Sequence, residues 1–232
     1  MSIKTSIFGA IVALSSLTSA YAGPVQLVTN GGFETGNFTG WTAVSNGATG
    51  GCGSNLWVVN NTGTQGCTSY GTTTAAPISG TYAAFNTFDG SAVNYTLSQQ
   101  IIVPGSITAA TLSFMDEFTM GYSGTLRTFN VGFYNAAGTT LLGNVFTQQP
   151  GVSQKQAWTQ QSIDVKALLA SYVGNTLTLR FTQIIPQDYT GPAGFGLDNV
   201  SLIAEVPEPS SIALLGLGLL GFVGLRRKRN NG

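Results

Sequence analysis

Apolar side chains recur at every second position through the middle of this chain, and that period restricts its fold more than any other feature. Phe129, Val131 and Phe133 alternate with Asn130 and Gly132, and Leu177, Leu179 and Phe181 alternate with Thr178 and Arg180. A period of two matches the pleat of a strand with one buried face, whereas an amphipathic helix needs 3.6. Further strands are predicted at 25–29, 55–60, 81–87, 93–103, 108–118, 140–147, 157–165 and 195–203, divided by turn residues such as Pro104-Gly105, Ala137-Gly138 and Pro192-Ala193-Gly194. Residues 166–172 alone read as helical, and Gly174 ends them after about two turns. Many short strands and one short helix predict an all-β antiparallel β-sandwich.

The two ends follow other rules. Residues 1–22 read as a secretory signal peptide, with Lys4 as the positive start, an apolar run from Ile7 to Leu17, and Ala20-Tyr21-Ala22 as the cleavage site. Residues 206–232 open with Val206-Pro207-Glu208-Pro209, continue through an uncharged stretch from Ser210 to Leu225, and close on Arg226-Arg227-Lys228-Arg229. That stretch is about 24 Å long as a helix, so it spans a membrane only with help from its flanks. The basic cluster predicts a cytoplasmic C-terminus. A permanent single-span anchor is the other reading of this tail. Residues 23–205 remain as the exported domain.

The neutral total charge conceals this partition. Residues 23–205 carry four positive and eight negative side chains, a net of −4, while the tail carries +3 and the leader +1. No basic stripe is present, which argues against a nucleic-acid partner. The chain has no His, which excludes Ser-His-Asp and Cys-His catalysis and His-ligated metals.

The Pro207-Glu208-Pro209 tripeptide, the Gly/Leu-rich stretch and the terminal basic cluster together resemble the PEP-CTERM sorting signal of Gram-negative bacteria. The resemblance implies recognition and cleavage by an exosortase, transient anchoring in the inner membrane through the C-terminal helix, and release to the cell surface or matrix. It also implies association with exopolysaccharide and biofilm.

The domain resembles jelly-roll modules related to galactose-binding and carbohydrate-binding domains. Asn30-Gly31-Gly32-Phe33-Glu34-Thr35-Gly36 and Gly40-Trp41 match their opening strand and turn, and Phe195-Gly196-Leu197-Asp198-Asn199-Val200-Ser201-Leu202 matches their closing strand. In those modules the first and last strands lie side by side, and an acid from each helps hold a structural Ca²⁺. The resemblance implies that role for Glu34 and Asp198, with backbone carbonyls and water completing a shell of six to eight oxygens. Read from the residues alone, Glu34 equally well accepts backbone N–H groups while Asp198 hydrogen-bonds a turn.

Three other groups of residues bear on chemistry. Cys52 and Cys67 are the only cysteines, and in an exported chain they predict a disulfide. Asp116 and Glu117 are adjacent, so in a strand they face opposite ways and cannot cooperate as acid and base. Asp116 shares its parity with Leu112 and Phe114, and an arginine partner (Arg127 or Arg180) is expected for it. Among the aromatics, Trp41 and Trp158 read as core anchors. Trp57, Tyr70, Tyr122 and Tyr189 fall beside Asn/Gly/Thr-rich loops, where open rings can stack on sugars.

A noncatalytic surface or matrix protein that binds carbohydrate fits these features best. A secreted glycan-active enzyme would need two carboxyls about 5–10 Å apart, and no spacing suggests them. A structural or adhesive subunit acting through protein contacts is the third reading.

Overall fold

The computed structural model describes residues 23–47, 57–63, 73–88, 92–120, 127–151, 153–186 and 193–207. The leader 1–22, Cys52, Cys67, Tyr70, Tyr122, Tyr189, Glu208, Pro209 and the rest of the tail lie outside them. In chain order the strands are β1 (Pro24–Gln26), β2 (Thr42–Gly47), β3 (Val58–Asn60), β4 (Ala83–Phe88), β5 (Val93–Ile102), β6 (Ala109–Met120), β7 (Thr128–Asn135), β8 (Leu141–Gln148) and β9 (Lys155–Asp164). The helix α1 (Lys166–Ala170), β10 (Thr176–Ile185) and β11 (Ala193–Glu205) follow. Among the described residues no helix is long and apolar enough to cross a membrane.

All the pairings are antiparallel, and they build two sheets. The first runs β3-β4-β11-β6-β9, with β1 also paired to β11; the second runs β2-β5-β10-β7-β8. The expected β-sandwich of jelly-roll type is therefore present. As expected, the first and last strands are neighbours, with Val25 opposite Ala204.

Alternation explains the core. Tyr95, Leu97 and Ile101 of β5, Val131 and Phe133 of β7, and Leu177, Leu179 and Phe181 of β10 point inward and are almost fully buried. They meet Leu112, Phe114, Leu197 and Leu202 from the first sheet. Aromatic edges join the layers: Phe129 and Phe195 lie 4.5 Å apart between centroids, and Phe114 meets Phe181 edge-on at 5.3 Å. Trp41 is in the same core, beside Phe33 and Phe181, and its indole N–H is satisfied by the Asn30 carbonyl at 3.0 Å.

Two departures from the sequence reading matter. β2 lies outside the predicted strands, because Thr-Ala-Val-Ser-Asn-Gly carries little apolar signal; it is an edge strand held by backbone pairing to β5. Trp158 is not in the main core. It packs edge-on against Phe85, and its indole N–H donates to the Ala76 carbonyl at 2.9 Å. Phe85, Glu117 and Gly196 are directly paired across strands on the outer face of the first sheet, so Trp158 belongs to a small second core there.

The opening motif has a steric basis. A side chain at Gly31 would collide with the Val200 carbonyl oxygen, while Val200 N–H donates to the Gly31 carbonyl at 2.9 Å. Only glycine permits that contact between the first turn and the last strand.

Candidate functional site

The outer face of the second sheet is built from residues that alternate with its core. Thr42, Ser98 and Arg180 lie in one cross-strand row, Val44, Thr96 and Thr182 in the next, and Gln100 and Thr178 in a third. Apart from Thr182, these side chains floor a groove of about 430 Å³, walled by Gly40 on one side and by Ala136, Ala137 and Gly138 on the other. The 136–138 turn is fixed from below. The Gln100 amide donates to the Ala136 carbonyl at 2.9 Å, and the Thr178 hydroxyl donates to the same oxygen at 3.2 Å. On the opposite wall, Gln99 clamps Thr29 by accepting from its N–H at 2.7 Å and donating to its carbonyl at 2.9 Å.

Arg180 lines this groove. Its Nη2 donates to the Gly138 carbonyl at 2.8 Å, and its guanidinium carbon sits 4.1 Å from the centroid of the Tyr134 ring. A carbonyl and a stacked ring hold the cation in place without neutralising it. The groove thus offers hydroxyls, amides and one fixed positive charge, a lining suited to a hydroxyl-rich ligand.

The carboxylates are elsewhere, on the first sheet and its loops. Glu34 accepts the Thr81 and Tyr82 backbone N–H groups at 3.0–3.1 Å. Asp198 Oδ1 accepts the Asn199 N–H at 2.6 Å, while Oδ2 is buried without a partner. Burial pushes the Asp198 carboxyl up to about 6; backbone hydrogen bonds oppose the rise, and the nearby Glu34 carboxylate adds to it. The two acids flank Gly32, where an added Cβ would stand 3.6 Å from Glu34 Cγ and 3.8 Å from Asp198 Oδ1. The fold does bring the expected pair together. Asp198 Oδ2 is an unpartnered oxygen of the kind a hard cation takes, whereas both Glu34 oxygens are already occupied by the Thr81 and Tyr82 N–H groups. Among the described residues no group of three or more acidic, His or Cys side chains could hold a metal, so a cation at these two acids would need backbone oxygens and water for its other ligands.

Asp116 and Glu117 face opposite ways, as expected. Asp116 points inward and is fully buried, but neither expected arginine holds it. Gln161 and Gln156 amides donate to its Oδ1 and Oδ2, each at 2.8 Å. Arg180 lies across the molecule, on the outer face of the other sheet. Burial raises the Asp116 pKa against these amide bonds. Glu117 faces outward yet is only 4% exposed, because the 74–76 segment covers it. Its Oε2 accepts the Ala75 N–H at 3.2 Å, its Oε1 is buried without a partner, and burial pushes its pKa up to about 7.

Of the aromatics expected to form a stacking platform, Trp57 alone is described. It is 6% exposed and packs edge-on against Phe195 at 5.9 Å, so it is a core residue and its faces are not open for stacking. The loop composition around it suggested exposure, but an indole is large enough to fold back over the end of the core. Sequence reading did not find the groove. The outward parity of Thr178 and Arg180 was its only signal, and parity does not reveal which strands stand alongside.

Residues 205–228 match the PEP-CTERM protein-sorting motif. The chain carries that sorting signal. It is therefore an exported, membrane-passing protein, and the motif implies processing by an exosortase. No curated protein matches the chain by sequence. Among solved structures, TmCBM61 in complex with β-1,4-galactotriose is similar at 16% identity over 78% of this chain and 99% of that one, with a TM-score of 0.49. Carbohydrate-binding modules from the β-sandwich superfamily align at 14% identity over 73% of this chain and 59% of that one, with a TM-score of 0.45. An apo cyclase from Fischerella sp. aligns at 15% identity over 82% of this chain and 100% of that one, with a TM-score of 0.46. Likeness at this level says nothing about activity.

Proposed function

We propose that this PEP-CTERM protein is a noncatalytic polysaccharide-binding component of the cell surface or extracellular matrix of a Gram-negative bacterium, in an exopolysaccharide or biofilm setting. The groove on the outer face of the second sheet carries the reading. It is open, fixed on both walls, and lined by hydroxyls, amides and a guanidinium. Among the described residues no carboxylate lines it, so it offers no acid/base pair for glycosidic cleavage.

The remaining features serve delivery and scaffold. The leader 1–22 directs export, and the uncharged stretch from Ser210 to Leu225 holds the chain in the inner membrane until exosortase cleaves near Pro207-Glu208-Pro209. A structural Ca²⁺ bridges Glu34 and Asp198, pinning the opening turn to the closing strand. Cys52 and Cys67 form a disulfide, for which two free thiols in the mass of the unreduced mature protein would be contrary evidence.

Retention of the full chain on insoluble polysaccharides tests the proposal. Binding to at least one glycan without release of reducing sugar is the expected result. Release of reducing sugar would restore a glycan-active enzyme. Capture of other matrix proteins with no glycan retained would replace the proposal with an adhesive subunit acting through protein contacts.

A further inference from the structure

We infer that the groove selects acidic polysaccharide, and that Arg180 is the residue that reads the acid. This rests on the glycan-binding reading above and adds a ligand class to it.

The two sheets differ in charge. The strands of the second sheet, β2, β5, β7, β8 and β10, contain one charged residue between them, Arg180. Asp116, Glu117, Asp164, Asp198 and Glu205 all lie in strands of the first sheet. Glu34 is tied to the 81–82 backbone beside Asp198. A domain of net negative charge therefore presents one face whose only strand-borne charge is positive.

The placement of Arg180 is equally specific. Surface arginines ordinarily extend into water or pair with an acid. Here the side chain lies against the sheet, over the Tyr134 ring, with Nη2 bound to the Gly138 carbonyl and Nε buried without a partner. Holding a long side chain in this way costs rotamer freedom, and no carboxylate among the described residues lines the groove to recover it. A carboxylate or sulfate borne by a sugar supplies that partner, since a planar guanidinium matches either oxyanion in shape and charge. Thr42, Thr96 and Ser98 then face the hydroxyls of neighbouring sugar units along the groove floor.

The test uses the full chain in a polyoxyethylene detergent, which has no sugar headgroup to compete. Three polymers are compared by affinity electrophoresis or calorimetry: polygalacturonate, its fully methyl-esterified form, and a sulfated galactan. The esterified polymer keeps the backbone and removes the charge, so this comparison needs no mutant and is immune to misfolding. The expected result is about tenfold or more weaker binding on esterification, the equivalent of one charge-assisted hydrogen bond. Arg180→Gln should abolish the difference, and Arg180→Lys should keep part of it. Retention on the sulfated polymer with none on polygalacturonate would assign the anion as sulfate, still read by Arg180. Equal binding of wild type to the charged and esterified polymers would overturn the inference and leave glycan binding intact. Failure to retain any polymer, neutral glucans included, would remove both.

Discussion

Replacing Glu117 by Gln should stabilise the protein at neutral and alkaline pH and leave its stability in acid unchanged. The side chain is 4% exposed, among Trp158, Phe85 and the 74–76 backbone, with one oxygen bonded to Ala75 N–H and the other unpartnered. Burial lifts its pKa from 4.5 to about 7. The folded state therefore keeps a proton that the unfolded chain releases. The stability contributed by the protonated carboxyl is complete below pH 4.5, falls as pH rises toward about 7, and is fully lost above that. The displacement corresponds to ~3 kcal/mol, and partial access of water lowers the usable figure to about 2. Glutamine has the same shape, is always neutral, and keeps an acceptor for Ala75 N–H. Urea denaturation followed by tryptophan fluorescence at pH 4 and pH 8.5 measures the effect. Wild type and variant should agree at pH 4 and differ by about 2 kcal/mol at pH 8.5, roughly 4–8 °C in Tm for a domain of this size. The raised Asp198 carboxyl is common to both proteins and cancels from the difference. Parallel pH profiles for the two proteins would refute a buried, proton-holding Glu117.

Other substitutions probe the same construction. Gly196→Ala places a Cβ 2.8 Å from Trp158, 2.9 Å from Glu117 and 3.0 Å from Phe85, and should cost about 1–3 kcal/mol in chemical denaturation. Gly105→Ala, where an added Cβ meets nothing, is the silent control. Calcium should raise the melting temperature of wild type and leave that of Asp198→Asn unmoved, and a melting temperature indifferent to calcium and chelator in wild type would remove the bridging ion. Phe181→Ala opens a void between Trp41, Phe114 and Phe129 and should cost about 3–5 kcal/mol by the same denaturation assay.

Most strands, their inward faces and the sorting tail were legible in the sequence, and the edge strand β2 was not. Period-two alternation is local, so Phe129, Val131 and Phe133 could be assigned to one face without knowledge of any neighbour. The sorting tail is equally local, a signal carried by consecutive residues. Gly31 and Trp41 were legible because they stand in one short motif, although the reason for the glycine, contact with the Val200 carbonyl, comes from the far end of the chain. Apart from β1 beside β11, the strand neighbours became known only from the folded chain, and the groove depends on them. Parity sent Arg180 outward, but pairing of β10 with β5 and β7 placed it beside Ser98 and over Tyr134, in a sheet whose strands carry no acids. Burial of Trp57, and the choice of glutamines over arginines as partners of Asp116, were likewise settled by long-range register. Side-chain direction is fixed within a few residues of backbone, whereas a side chain's neighbours are fixed by strand pairing across the whole domain.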